Sequence, residues 1–181
     1  MAEPARSTPP ILDPRSPAAE RFRRRMTSPL AMRGFFLAKL PLALAAGVRL
    51  QELSAEQCTT SVPYGWRSTN PFRSTYFAAL AMAAELSTGA LGSFATSIAP
   101  APVAMLIVGM TASFEKKATA RTTFVCADGA KVFAAVESTL ATGEPATAAL
   151  ETVGRRADGA VVARFTFDWS FKKRAARSGT A

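Results

Sequence analysis

The stretch from Asn70 to Gly89 constrains this chain more than any other. It opens with turn chemistry: Asn70 can accept from nearby backbone amides, and Pro71 fixes its own φ. Ser74 or Thr75 is placed to cap a helix, and Gly89 is a natural stop. Between them Phe77, Ala78, Ala79, Leu80, Ala81, Met82, Ala83, Ala84 and Leu86 are all apolar. A helix apolar on every side has to be buried on every side, so other structure must wrap it. Glu85 is the exception, the only charged residue between Ser74 and Phe114. A carboxylate in such surroundings is paired, protonated or functional, because an isolated buried charge is very costly.

The rest of the chain supplies strands to do the wrapping. From Ala104 to Phe114 the residues alternate, with Ala104, Leu106, Val108, Met110, Ala112 and Phe114 reading as one apolar face. Thr119 to Cys126 is β-rich, and Asp128-Gly129 turns it. Val132, Phe133, Val136 and Leu140 have helical spacing, ended by Gly143. Ala146 to Arg156 is extended again, and Asp158-Gly159 is a hairpin signal. Val161, Ala163, Phe165, Phe167, Trp169 and Phe171 then form the clearest apolar strand face, opposite Arg164, Thr166, Asp168 and Ser170. Upstream, Val48 to Val62 reads as extended with a turn near Ser54-Ala55-Glu56, closed by Pro63-Tyr64-Gly65-Trp66. One buried helix followed by antiparallel strands is an α+β pattern, with a sheet wrapped around a helix.

The chain has 181 residues, enough for one domain with a core, and a net charge of +9. The charge sits at the ends: residues 1–33 carry seven Arg against three acids, and residues 172–181 carry four cations and no acid. A solvated flexible end is the plain reading of such tails; contact with nucleic acid or anionic membrane is the other. Six prolines in residues 1–31 predict a disordered basic leader. The domain is expected over 32–171, with a flexible basic tail over 172–181, so a chain from Met32 to Phe171 should fold alone. Arg21 to Arg25 followed by the apolar run to Ala46 mimics a signal peptide. Lys39 and Pro41 interrupt that run, and a helix before the first strand is the preferred reading, without stable membrane insertion. Translation from Met26 or Met32 would also account for the unusual leader. There is no histidine, and the two cysteines, Cys58 and Cys126, lie far apart. That inventory rules out a zinc pattern and Ser-His-Asp or Cys-His catalysis, so both thiols read as reduced core residues.

On the residues from Asn70 to Glu85 the sequence resembles the PaaI-type hotdog-fold acyl-CoA thioesterases, and more closely the hotdog branch known as DUF4442. The motif of that family runs from an Asn, through a Gly three residues on and a His-Gly-Gly six to eight residues on, to an acidic residue fifteen residues on. Asn70 and Glu85 fall at its two ends. Arg73 stands in place of the Gly, and Tyr76-Phe77-Ala78 in place of the His-Gly-Gly. The resemblance implies a hotdog fold, a cytoplasmic homodimer or dimer of dimers, and a site between subunits acting on an acyl-CoA or acyl-carrier thioester.

Carried over to these residues, the resemblance makes Glu85 a general base or nucleophile and has Asn70 position water or the carbonyl. Backbone amides around Tyr76 and Phe77 would polarise the carbonyl. Lys116, Lys117 and Arg121, with Arg155 and Arg156, are candidates for coenzyme A phosphates. Coenzyme A would enter as part of the substrate; no metal, redox cofactor or nucleic acid is implied. Each role has a plainer rival. Glu85 could pair with Arg67, Arg121 or a second copy, Asn70 could only build a turn, Tyr76 could only pack, and the basic residues could be a solvated face. The rival for the whole chain is a catalytically silent acyl-binding or structural hotdog module, which the altered turn at Arg73 and Tyr76–Ala78 favours.

Overall fold

The computed structural model describes residues 11–174. Six strands form one antiparallel sheet in the order β1-β2-β4-β5-β6-β3, built from β1 Arg49–Leu53, β2 Cys58–Val62, β3 Val103–Phe114, β4 Thr122–Cys126, β5 Ala146–Arg155 and β6 Val161–Lys173. The helices are α1 Pro17–Thr27, α2 Pro29–Lys39, α3 Pro41–Ala46, α4 Phe77–Ser97 and α5 Gly129–Thr142. Helix α4 touches all six strands, so the sheet wraps it as its composition requires. By length and composition α4 could cross a membrane, but it is mostly buried inside this chain. Three polar pins fasten it: Thr60 Oγ1 donates to the Ala83 carbonyl at 2.6 Å, Ser87 Oγ to Thr152 Oγ1 at 2.8 Å, and Trp169 Nε1 to Thr88 Oγ1 at 3.0 Å.

Helix α4 does not stop at Gly89 but runs two turns further, to Ser97. Glycine inside a helix costs about 1 kcal/mol against alanine, so packing must compensate. At Gly89 a Cβ would lie 2.9 Å from Glu85 Oε1 and 3.3 Å from Trp169 Cζ2; at Gly92 it would lie 2.6 Å from Met105 Cε. These glycines let the sheet close on the helix.

Strand β6 turns Phe165, Phe167, Trp169 and Phe171 inward, as its alternation predicts. Strand β3 differs from its sequence reading. A bulge between Ile107 and Gly109 shifts its register against β6. Met105 and Ile107 pair with inward-facing Phe171 and Trp169, whereas Leu106 pairs with Ser170. Beyond the bulge Met110 and Ala112 pair with Phe167 and Phe165. The single apolar face predicted for 104–114 is therefore two half-faces, since one inserted residue flips every side chain after it. β3 is also a sheet edge, and Leu106, Val108, Met110 and Phe114 are exposed.

The leader differs too. Disorder was expected through residue 31, but α1 begins at Pro17, with Ser16 Oγ accepting from the Ala19 amide. Leu12, Ala19 and Met26 are buried, and Phe22 stacks on core Phe94 at 5.7 Å. Residues 1–10 lie outside those described. At the other end β6 continues through Lys172 and Lys173, which pair with Ala104 and Val103, so the expected tail starts later; residues 175–181 lie outside those described. Each large apolar side chain returned to water costs about 1.5–3 kcal/mol. A chain starting at Met32 is thus expected to melt well below the full chain or to lose cooperative unfolding by calorimetry. Equal melting temperatures would contradict this account of α1.

Candidate active site

The loop before α4 is built by Asn70. Its Oδ1 accepts from the Phe72 amide at 3.0 Å, the Ser74 amide at 3.2 Å and Ser74 Oγ at 3.2 Å. This turns the chain through Arg73, which has φ +56, the left-handed region that glycine enters without penalty. The resembling motif has glycine at this position. The loop keeps that conformation with arginine in place, held by the Asn70 side chain and a backbone bridge between Thr69 and Thr75.

Helix α4 then starts at Phe77, with Tyr76 as an N-cap whose side chain makes no capping bond. Neither Ser74 nor Thr75 caps it; Thr75 Oγ1 donates instead to the Ala118 carbonyl at 3.1 Å. The Tyr76 amide is occupied by the Ser68 carbonyl at 2.6 Å, and the Ala79 and Leu80 amides turn back to the Tyr76 carbonyl. The Phe77 and Ala78 amides have no acceptor among the described residues. They are free donors at the positive end of a long helix, a ready site for a developing oxyanion.

The start of the helix, through Phe77, borders a cleft of about 600 Å³ lined also by Asn70, Phe72, Tyr76, Phe114, Lys116 and Lys117, among others. Phe72, Tyr76, Phe77 and Phe114 are all exposed, so its rim is aromatic. Lys117 Nζ donates to the Phe72 carbonyl at 3.4 Å, which ties the end of β3 to the loop. Five of the residues singled out in the sequence, Asn70, Tyr76, Phe77, Lys116 and Lys117, thus meet in one place. Arg121 does not join them: its Nη1 donates to Ser61 Oγ at 3.4 Å. Arg155 and Arg156 are taken up by the Gly159 carbonyl and Asp158. The sequence reading missed Phe72, Phe114 and Glu115 as cleft residues, since only the return of β3 past the helix start brings them there. Glu115 is engaged by Arg164 at 2.9 Å in an ion pair.

Glu85 lies eight residues into α4, about 12 Å along the axis from Phe77. It lines a second cleft of about 310 Å³ with Lys39, Leu40, Pro41, Leu42, Met82 and Leu86. The carboxylate is half-buried and has no ion-pair partner among the described residues; neither Arg67 nor Arg121 reaches it. Burial pushes its pKa above the ordinary glutamate value. Phe77, Ala78, Ala81, Met82 and Glu85 form a stripe of the first half of α4 that the other described residues leave exposed or half-buried. Within one chain the carboxylate and the free amides therefore lie on the same open stripe but in different clefts.

No curated protein sequence matches the chain. Its six-stranded sheet and central helix superpose on solved hotdog structures. A probable thioesterase of unknown function from Pseudomonas aeruginosa aligns over 83% of this chain and 99% of its own, with 19% identity and a TM-score of 0.67. A putative thioesterase from Shewanella oneidensis aligns over 83% and 97%, with 12% identity and a TM-score of 0.66. The Escherichia coli PaaI protein from the phenylacetic acid degradation operon aligns over 86% and 97%, with 10% identity and a TM-score of 0.55. At these identities the likeness establishes the fold, that of thioesterase-like hotdog proteins. The profile of DUF4442, a domain of unknown function, matches residues 30–171, from α2 to the end of the β6 apolar face, and this chain belongs to that family.

Proposed function

We propose that this protein is a homodimeric acyl thioesterase, cleaving an acyl-CoA or related acyl-carrier thioester. The observation that carries the reading is Glu85, a desolvated carboxylate with no ion-pair partner among the described residues, on the helix whose first amides are free. A second copy, laid against the open stripe of α4 and the bare edge of β3, brings its own Glu85 to the aromatic cleft of this chain. The carboxylate takes a proton from water, and the resulting hydroxide adds to the thioester carbonyl. The oxyanion is held by the Phe77 and Ala78 amides. Collapse breaks the C–S bond, and the thiolate leaves to be protonated. Lys116 and Lys117 offer charge to carrier phosphates at the mouth. Two buried free thiols and a coenzyme A substrate fit the cytoplasm.

A panel of acyl-CoA esters followed by free thiol release tests the reading, with Glu144→Gln, an exposed carboxylate outside both clefts, as a control that should retain activity. A silent acyl-binding module is the second reading. It is favoured by the Asn70 oxygen being spent on the loop and by Tyr76-Phe77-Ala78 at the oxyanion turn. Saturable binding of acyl-CoA without thiol release would select it. The dimer has its own test. Met110 and Phe114 are exposed on the edge strand, so Met110→Lys with Phe114→Lys is expected to yield monomers by light scattering and to abolish turnover. An unchanged dimer mass would put the interface elsewhere.

A further inference from the structure

Helices α2 and α3, the last two before the sheet, carry a surface that the thioesterase reading does not use. Helix α2 buries Met32 and Phe36 and turns Leu30 and Leu37 to solvent, 83% and 70% exposed; Leu42 on α3 is 75% exposed. Leu30 and Leu37 are two helical turns apart on one face, and Arg33 lies between them, three residues after the first and four before the second. Gly34, also exposed, keeps that face low. From Arg21 to Gln51 the chain carries seven cations and no carboxylate. None of the seven is in an ion pair among the described residues. Arg23 and Arg25 lie over the Phe94 and Phe22 rings, while Arg33 on α2 and Lys39, beside Leu40 and Leu42, flank the leucines. Exposed leucines flanked by such cations are what an interfacial helix presents to a bilayer with negative headgroups.

We propose that the α2–α3 face docks this protein peripherally onto an anionic lipid surface. The leucines enter the headgroup–acyl boundary, and Arg33, Lys39 and the exposed arginines of α1 meet the phosphates. Two other occupants fit less well. A second copy placed symmetrically on this face would bring its cations against the same cations. Nucleic acid would satisfy the charge but leave the leucines in water. Lys39, Leu40 and Leu42 also wall the Glu85 cleft, so docking would bring the lipid surface, where long-chain acyl thioesters partition, to the edge of the site that the two copies form. That consequence rests on the thioesterase reading; the docking itself does not.

The test is co-sedimentation of the full chain with extruded vesicles, read independently of any turnover. Binding is expected to vesicles holding on the order of 30% phosphatidylserine and to fall at least about tenfold on pure phosphatidylcholine. It should also fall about tenfold in about 0.5 M salt, where headgroup attraction is screened. Leu30→Gln with Leu37→Gln, and separately Arg33→Glu, should each weaken binding by about tenfold or more with an unchanged melting temperature. The proposal is overturned if the full chain stays in solution with both vesicle types, or if these variants bind as well as the natural chain. It is equally overturned if the leucine variant changes the oligomeric mass without lipid, because a second copy then covers the face, or if only RNA is bound.

Discussion

Glu85→Gln is expected to lower acyl-thioester turnover by a factor on the order of 10²–10⁴, the scale for loss of a general base. Glutamine keeps the size and hydrogen-bonding shape of the side chain, so Gly89 and Trp169 beside it keep their packing. The same substitution is expected to stabilise the fold near neutral pH. The folded chain holds the Glu85 proton more tightly than the unfolded chain, because burial raises the pKa above the ordinary 4.5. The stability Glu85 contributes is therefore full below that ordinary value and is lost as pH rises through the raised one. Glutamine does not titrate. Thermal melts should coincide at about pH 4 and separate in favour of the variant by about pH 8. Less activity with more stability marks a carboxylate kept in place for chemistry. A variant that is less stable at both pH values would mean that the carboxylate is a structural partner.

Phe165→Ala is expected to cost about 3–5 kcal/mol, the range for emptying a buried aromatic site. Phe165 lies on the inward face of β6, where its ring meets Phe124 at 5.8 Å, stacks on Phe167 at 5.9 Å and takes the edge of Phe114 at 5.7 Å. Those three rings sit on β3, β4 and β6, in a close-packed core that relaxes only partly around a lost ring. Chemical denaturation gives the number directly. A cost below about 1 kcal/mol, the scale of a surface change, would put β6 in a different register.

Much of this was legible in the sequence because the residues obey one period at a time. The alternation from Ala163 to Phe171, the αL glycines at Gly143 and Gly159, and the all-apolar face of α4 each name their element without help from the rest. What escaped was contextual. Proline at 17, 29 and 41 looked like disorder or interruption. In the structure each is the first residue of a helix, and at 17 and 29 it follows a serine whose hydroxyl caps that helix. Gly89 looked like a stop because the Trp169 ring that requires it lies eighty residues away. The bulge at Val108 left no mark, since the residues on both sides of it are apolar. At the site, Asn70 and Glu85 were visible as the ends of a spacing. That the Asn70 oxygen holds the loop, and that Glu85 lies about 12 Å along the helix from the free amides and in a different cleft, follows only from the folded backbone.

The central claim is that a desolvated Glu85 is the base for thioester hydrolysis, and the pH dependence of kcat/KM tests it most directly. Acyl-CoA hydrolysis by the natural chain is expected to rise with pH, with unit slope in logarithmic form, and to level off at a midpoint above the ordinary glutamate value of 4.5. That inflection should be missing from the residual rate of Glu85→Gln. Thiol release no faster than in buffer at every pH, or the same inflection in both proteins, would contradict it.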